Sequence, residues 1–168
     1  MYKICKTERS IERQKVFQST LLSMMEKQRF QDITVTSLCK KMGAPRKAFY
    51  RYYETLEDVL LSVIDEALTE AFLHLEVKVD LEGFFVYWKS RKYLLDVLEI
   101  NGLSPLLVNQ LHQRPETRPL KEGVSNQELK HAGYISALMT MLISWHHAGL
   151  VQSEKEMCTL VKELFSFS

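Results

Sequence analysis

The sequence predicts an all-α fold. Three observations carry that expectation. Apolar residues recur at three- and four-residue steps through most of the chain, no stretch sustains the period-two alternation rich in Val, Ile and Thr that a half-buried strand needs, and helix start and stop residues punctuate the chain at helix-length intervals. The 168 residues are 46% hydrophobic and 26% charged, enough apolar material for a packed core and too much for a disordered chain. There is no internal repeat and no low-complexity tract.

The elements follow in order. A first helix is expected from about Ser10 to Lys27, with Ile11, Val16, Phe17, Thr20, Leu21 and Met24 as its buried stripe. After a short connection, the Thr34 hydroxyl caps a second helix of about two turns, with Ile33 and Leu38 at the two positions of a hydrophobic staple. Gly43 stops it, because glycine reaches the left-handed conformation that a helix end commonly needs, and Pro45 opens a third, short helix. Thr55, with Asp58 three residues on, caps a fourth helix through Ala71. Residues 80–90 and 91–101 are then expected to form two helical segments or one bent one, with Gly102 as a stop, and a short helix runs from Ser104-Pro105 to about Leu111. Pro115, Pro119 and Gly123 make 113–126 the best loop. A long helix from Gln127 to His147 ends at Gly149, and Ser153 with Glu156 forms the capping box of a last helix to Phe165.

The net charge of +1 hides an asymmetry. Residues 1–54 hold 12 Lys/Arg against 5 Asp/Glu, or +7, and residues 55–168 hold 10 against 16, or −6. A basic head joined to an acidic body is what nucleic-acid binding requires of the head, because phosphates are neutralised by clustered Lys and Arg. The longest apolar run, Ile135 to Trp145, is broken by Ser136, Thr140 and Ser144 and falls short of the about 20 residues of a membrane span. The alternating charges of 1–10 lack a signal-peptide apolar region, so a cytoplasmic protein with no membrane partner is expected. Cys5, Cys39 and Cys158 are odd in number and widely spaced, and are read as free thiols. No cofactor, metal or enzymatic activity is expected: there is no Gly-x-Ser-x-Gly, phosphate-binding glycine loop or metal-ligand helix motif, and the adjacent His146 and His147 point about 100° apart on a helix.

The informative segment is Thr34 to Tyr53, TVTSLCKKMGAPRKAFYRYY. A capped helix, a glycine turn and a second short helix dense in Arg, Lys and Tyr have the spacing of a helix-turn-helix. Arg46 and Lys47 fall in the first turn of the second helix, where the macrodipole disfavours cations unless an external anion approaches. Tyr50 lies one turn on, where its hydroxyl reaches a phosphate oxygen, while Phe49 and Tyr53 face inward against the first and fourth helices.

Over roughly Arg9 to Leu61 these residues resemble the head of the tetracycline-repressor (TetR) family of bacterial transcriptional regulators. The matching elements are Phe30, Ile33-Thr34-Val35, Leu38, Gly43, Phe49-Tyr50-Arg51-Tyr52-Tyr53 and Glu57-Asp58-Val59-Leu60. The resemblance implies a three-helix DNA-binding head over 1–61 and a helical body over 62–168 that binds a small-molecule effector and forms a homodimer. It further implies that Thr36, Arg46, Lys47 and Ala48 approach base edges or nearby phosphates of double-stranded DNA, and that Tyr50 and Tyr52 contact the backbone. Two positions depart from the family pattern. Pro45 stands where a small polar residue is usual, and Leu56 where a Lys often donates to a phosphate.

In the body, Phe84, Tyr87, Trp88, Tyr93, Met139 and His146 are the candidate effector pocket, since such pockets are apolar with a few polar groups. Tyr134, Leu138, Leu142 and Trp145 on one helix, with Met157, Leu160, Val161 and Leu164 on the last, are the candidate dimer face. The leading expectation is a ligand-responsive repressor that binds a palindromic operator as a dimer. The alternative, motivated by Pro45 and Leu56, is an adaptor or coactivator on the same fold that acts through a protein partner.

Overall fold

The computed structural model describes residues 7–73, 80–114 and 125–166. Among these, every regular element is helical: α1 (Glu8–Met25), a 3-10 turn (Phe30–Asp32), α2 (Val35–Met42), α3 (Arg46–Phe49), α4 (Leu56–Phe72), α5 (Leu81–Ser90), α6 (Lys92–Ile100), α7 (Pro105–Gln113), α8 (Asn126–His147) and α9 (Glu154–Phe165). Most of the expected 113–126 loop, with Pro115, Pro119 and Gly123, lies outside the described residues, as does Cys5. No helix among the described residues is long and apolar enough to cross a membrane. The chain divides into two compact units, one of residues 1–66 with 97–103 and the other of 67–96 with 104–168, so both α4 and α6 run from one unit into the other.

The first unit is built around an aromatic cluster. Phe17 of α1 meets Phe49 edge-on at 5.6 Å and Tyr53 at 6.0 Å, and all three rings are buried. Burying side chains of this size contributes about 1.5–3 kcal/mol each, and edge-to-face ring pairs add about 0.5–1.5 kcal/mol. The buried stripe of α1 is Phe17, Gln18, Leu21, Met24 and Met25, which corrects the expected one. Val16 is rotated about 100° from Phe17, away from Gln18, and is 45% exposed. Ile11 lies near the helix start and is 40% exposed, while Thr20 is half-buried. Gln18 takes the interior place because acceptors await it: its amide donates to Ser62 Oγ at 3.0 Å and to Glu66 Oε1 at 2.8 Å.

Asn101, at the return of the chain to this unit, fastens the corner after α1. Its Oδ1 accepts the Phe30 N–H at 2.7 Å, and its Nδ2 donates to the carbonyls of Met25 at 3.1 Å and Val97 at 2.8 Å. The Met25 carbonyl is one of those that a helix end leaves without an intrahelical partner.

In the second unit α5 packs on α9 and α7 on α8. Phe85 meets Phe84 at 5.3 Å and Trp145 at 5.5 Å, both edge-on. The expected capping box of Ser153 with Glu156 is in place, and the structure adds two caps: Asp80 accepts from the Gly83 N–H, and Ser125 with Glu128 forms a second reciprocal capping box. Gly149 ends α8 with φ +80°, and Leu150 follows at φ +57°, held by its own burial and by its N–H donating to the Trp145 carbonyl at 2.9 Å.

Candidate functional site

The α2-turn-α3 segment is set by short-range bonds. At the start of α2 the Thr34 hydroxyl accepts the Ser37 N–H and the Ser37 hydroxyl accepts the Thr34 N–H, each at 3.0 Å. At its end Gly43 has φ +63°, its N–H donates to the Lys40 carbonyl at 3.2 Å, and the Ala44 N–H donates to the Cys39 carbonyl at 2.9 Å. That bond pair is a Schellman motif, and the left-handed residue it requires is the reason for glycine at 43. The Cys39 thiol is buried beneath this turn, and burial pushes its pKa up against the opposing charge of Arg46, as befits a packing thiol. Cys39 and Cys158 are both free.

α3 is a single turn. Pro45 precedes it with φ −71° and gives no side-chain cap. Arg46 and Lys47 therefore sit in its first and only turn, and a helix this short has too small a macrodipole to make their position a signal, which corrects the expectation drawn from the dipole. Their exposure is the better observation. Thr36, Arg46, Lys47, Tyr50 and Arg51 are exposed, Ala48 and Tyr52 half-buried, and Phe49 and Tyr53 fully enclosed. The short helix is thus anchored by the Phe49 ring, with Tyr53 beyond it as a second anchor, and Arg46, Lys47, Tyr50 and Arg51 are left outward.

Arg46 and Tyr50 form a unit on that outer face. The guanidinium donates to the Tyr50 hydroxyl at 3.2 Å and lies 5.9 Å from the ring centroid. Because the phenol oxygen accepts from Arg46, its own proton remains available to an acceptor outside the protein. Lys47 and Arg51 make no hydrogen bond or ion pair among the described residues. Lys47, Ala48, Tyr50 and Arg51 line a shallow, mainly apolar cleft of about 480 Å³. A second cleft of about 410 Å³, sharing Ala48 and Arg51 with the first, is lined by Tyr52 and by Arg9 and Arg13 of α1. Sequence reasoning missed Arg9, Arg13 and Arg51 as individuals, although they were part of the +7 charge of residues 1–54; the signal was the i,i+4 spacing of Arg9 and Arg13.

α4 opens with the expected Thr55/Asp58 pair. The Asp58 N–H donates to Thr55 Oγ1 at 3.1 Å, and Asp58 Oδ2 accepts the N–H of Thr55 at 2.9 Å and of Glu54 at 3.1 Å. Burial pushes the Asp58 carboxyl up, and the hydrogen bonds it accepts more than offset this, leaving its pKa below the ordinary value. Leu56, the first residue of α4, is half-buried and brings no donor.

In the second unit the candidate pocket residues separate. Phe84, Trp88, Met139 and His146 are buried, Tyr87 is half-buried, and Tyr93 is 44% exposed. The buried stripe of α6 falls on Leu94, Leu95, Val97 and Leu98, which leaves Tyr93 at the solvent edge and removes it from an enclosed pocket. His146 Nε2 is bonded to Asp96 Oδ1 at 2.8 Å, and Tyr87 donates to Glu70 Oε2 at 2.9 Å. The Trp88 indole N–H is buried with no acceptor among the described residues. The His146 and His147 ring centroids are 6.2 Å apart, with their planes tilted by 52°.

The candidate dimer face divides likewise. Leu138, Leu142, Trp145, Met157 and Val161 are buried within the chain and form its own core, which corrects their expected place in an interface. Leu160 and Leu164 remain exposed at 43% and 49%, and the half-buried Tyr134 ring lies tilted against that of Phe165 at 4.8 Å. No protein-family model matches the sequence, and no curated protein is significantly similar to it.

Proposed function

We propose that this protein is a DNA-binding transcriptional regulator of the TetR type, a ligand-responsive repressor that binds a palindromic operator as a homodimer. The observation that carries the reading is the α2-turn-α3 segment. A capped two-turn helix, a Schellman turn at Gly43 and a one-turn helix anchored by Phe49 and Tyr53 direct Arg46, Lys47 and Tyr50 to solvent. Arg46 and Lys47 read base edges or adjacent phosphates with Thr36 and Ala48, and Tyr50 and Tyr52 donate to backbone oxygens.

So short a reading helix makes few contacts by itself, and a two-fold dimer doubles them across two half-sites. Leu160 and Leu164 of α9, the exposed leucines of the candidate dimer face, supply apolar side chains to that dimer. The effector binds in the second unit, where the unpartnered Trp88 N–H offers a donor to a ligand carbonyl or carboxylate. Release follows when the effector favours a conformation in which the two reading helices no longer match the half-site spacing, which requires different effector affinities for the two states.

A second reading has its own observation. Pro45 leaves α3 without a side-chain cap and Leu56 opens α4 without a donor, as suits an adaptor or coactivator with reduced DNA affinity that acts through a protein partner. Selection of sites from randomised duplex DNA by the purified protein distinguishes the two. Enrichment of a near-palindrome is expected, and no enrichment at low salt would favour the adaptor.

A further inference from the structure

We infer that the cleft between the start of α1 and the turn that follows α3 is a second phosphate subsite, taking the phosphodiester backbone of duplex DNA beside the bases that α3 reads. This subsite presupposes the DNA-binding reading above and extends it to Arg9, Arg13 and Arg51.

All three arginines are exposed and line one cleft of about 410 Å³ with Tyr52. None of the three side chains makes a hydrogen bond or an ion pair among the described residues, although Glu8 and Glu12 flank Arg9 and Arg13 in sequence. Arg9 and Arg13 stand four residues apart, so they share a helix face, and like charges in that relation oppose helix formation. Arg9 also lies in the first turn of an 18-residue helix, at the end where the backbone dipole is positive. Three like charges gathered without a carboxylate are unfavourable in the free protein, and an incoming anion relieves all of these terms together.

The shape of the site selects which anion. The cleft shares Ala48 and Arg51 with the cleft beside Lys47 and Tyr50. The two therefore adjoin at Ala48 and Arg51 beside the single turn of α3, and the Ala48 side chain at the junction is small. An occupant that serves both must be extended and carry charge at regular intervals. A DNA strand does so, with one phosphate per about 3.4 Å of helix axis. The hydroxyls of Thr7 and Ser10, on the α1 side, are engaged with each other and with the Thr7 carbonyl, which leaves the three guanidinium groups and the Tyr52 hydroxyl as donors.

The test measures the salt dependence of duplex binding for the full chain and for Arg9→Gln/Arg13→Gln/Arg51→Gln. Two further variants accompany it, the corresponding triple Arg→Lys and a charge-matched Lys130→Gln/Lys155→Gln/Lys162→Gln in the second unit. The slope of log affinity against log salt should flatten by about 0.9 for each phosphate that the Arg→Gln protein no longer neutralises. It should be kept in the Arg→Lys protein and in the charge-matched one, and the ratio of selected to random duplex affinity should be unchanged throughout. Wild-type binding with an unaltered slope in the Arg→Gln protein would overturn the subsite and leave the DNA-binding reading standing. Flattening of the same size in the charge-matched protein would overturn it too, by assigning the effect to net charge. Saturable binding of inorganic pyrophosphate that depends on the three arginines, with an unaltered DNA slope, would give the cleft to a free phosphorylated ligand and overturn it as well. Failure of the wild-type chain to bind any duplex at low salt would remove both readings at once.

Discussion

Asp58 is a buried carboxylate held by the backbone N–H groups of Glu54 and Thr55, at the joint between α3 and α4. Its pKa in the folded chain lies below its ordinary value of 3.8, so the unfolded chain binds more protons in the window just below that value. Stability contributed by Asp58 is accordingly present above about pH 4 and is lost as pH falls through the folded pKa. Asp58→Asn should destabilise the protein at neutral pH and flatten the acid limb of its denaturation midpoint against pH. An acid limb of unchanged steepness would assign that dependence elsewhere, for instance to Asp96, whose pKa burial raises and the bonds from Lys92 and His146 more than bring back down. Leu56 is the other informative single position. Leu56→Lys adds a donor at the first residue of α4, and the salt slope of DNA binding should steepen by about 0.9, the equivalent of one further phosphate neutralised. An unchanged slope would show that this residue does not face the backbone.

At the scale of elements, the structure bears out what is written in neighbouring residues. Thr34/Ser37, Thr55/Asp58, Ser125/Glu128 and Ser153/Glu156 close caps within three residues, and Gly43, Gly102 and Gly149 stop helices with left-handed backbone. Local rules read such signals directly. What stayed hidden depends on partners far along the chain. Gln18 occupies an apolar stripe because Ser62 and Glu66, 44 and 48 residues on, accept its amide. Asn101 closes the corner after α1 from 71 and 76 residues away, and no periodicity announces it. Asn101→Ala should cost about 1–3 kcal/mol in chemical denaturation, since it leaves the Phe30 N–H and the Met25 carbonyl without their partner. Asn101→Asp, which keeps the acceptor for Phe30 but sets a carboxylate oxygen against the Met25 and Val97 carbonyls, should cost at least as much; a smaller loss than in Asn101→Ala would place the stabilisation in the bond from Phe30.

At the scale of the whole molecule, the sequence separated a basic first third from an acidic remainder, and α2, the Gly43 turn and α3 all lie in the basic part. The outward residues Arg46, Lys47 and Tyr50 were legible because each lies within a few residues of a turn signal or an aromatic anchor. The stripes of α8 and α9 were less legible. A helix that buries one face in its own core and one that buries it against a second copy share the same periodicity, and only the fold showed that Leu138, Leu142, Trp145, Met157 and Val161 belong to the first case. Whether this chain reads DNA is decided by site selection from randomised duplexes, run side by side on the wild-type chain and on Arg46→Ala/Tyr50→Ala. A near-palindrome should be enriched by the wild type and absent from the variant's selected pool. Enrichment of the same sequence by both proteins, or of none by the wild type at low salt, would contradict a reading role for α3.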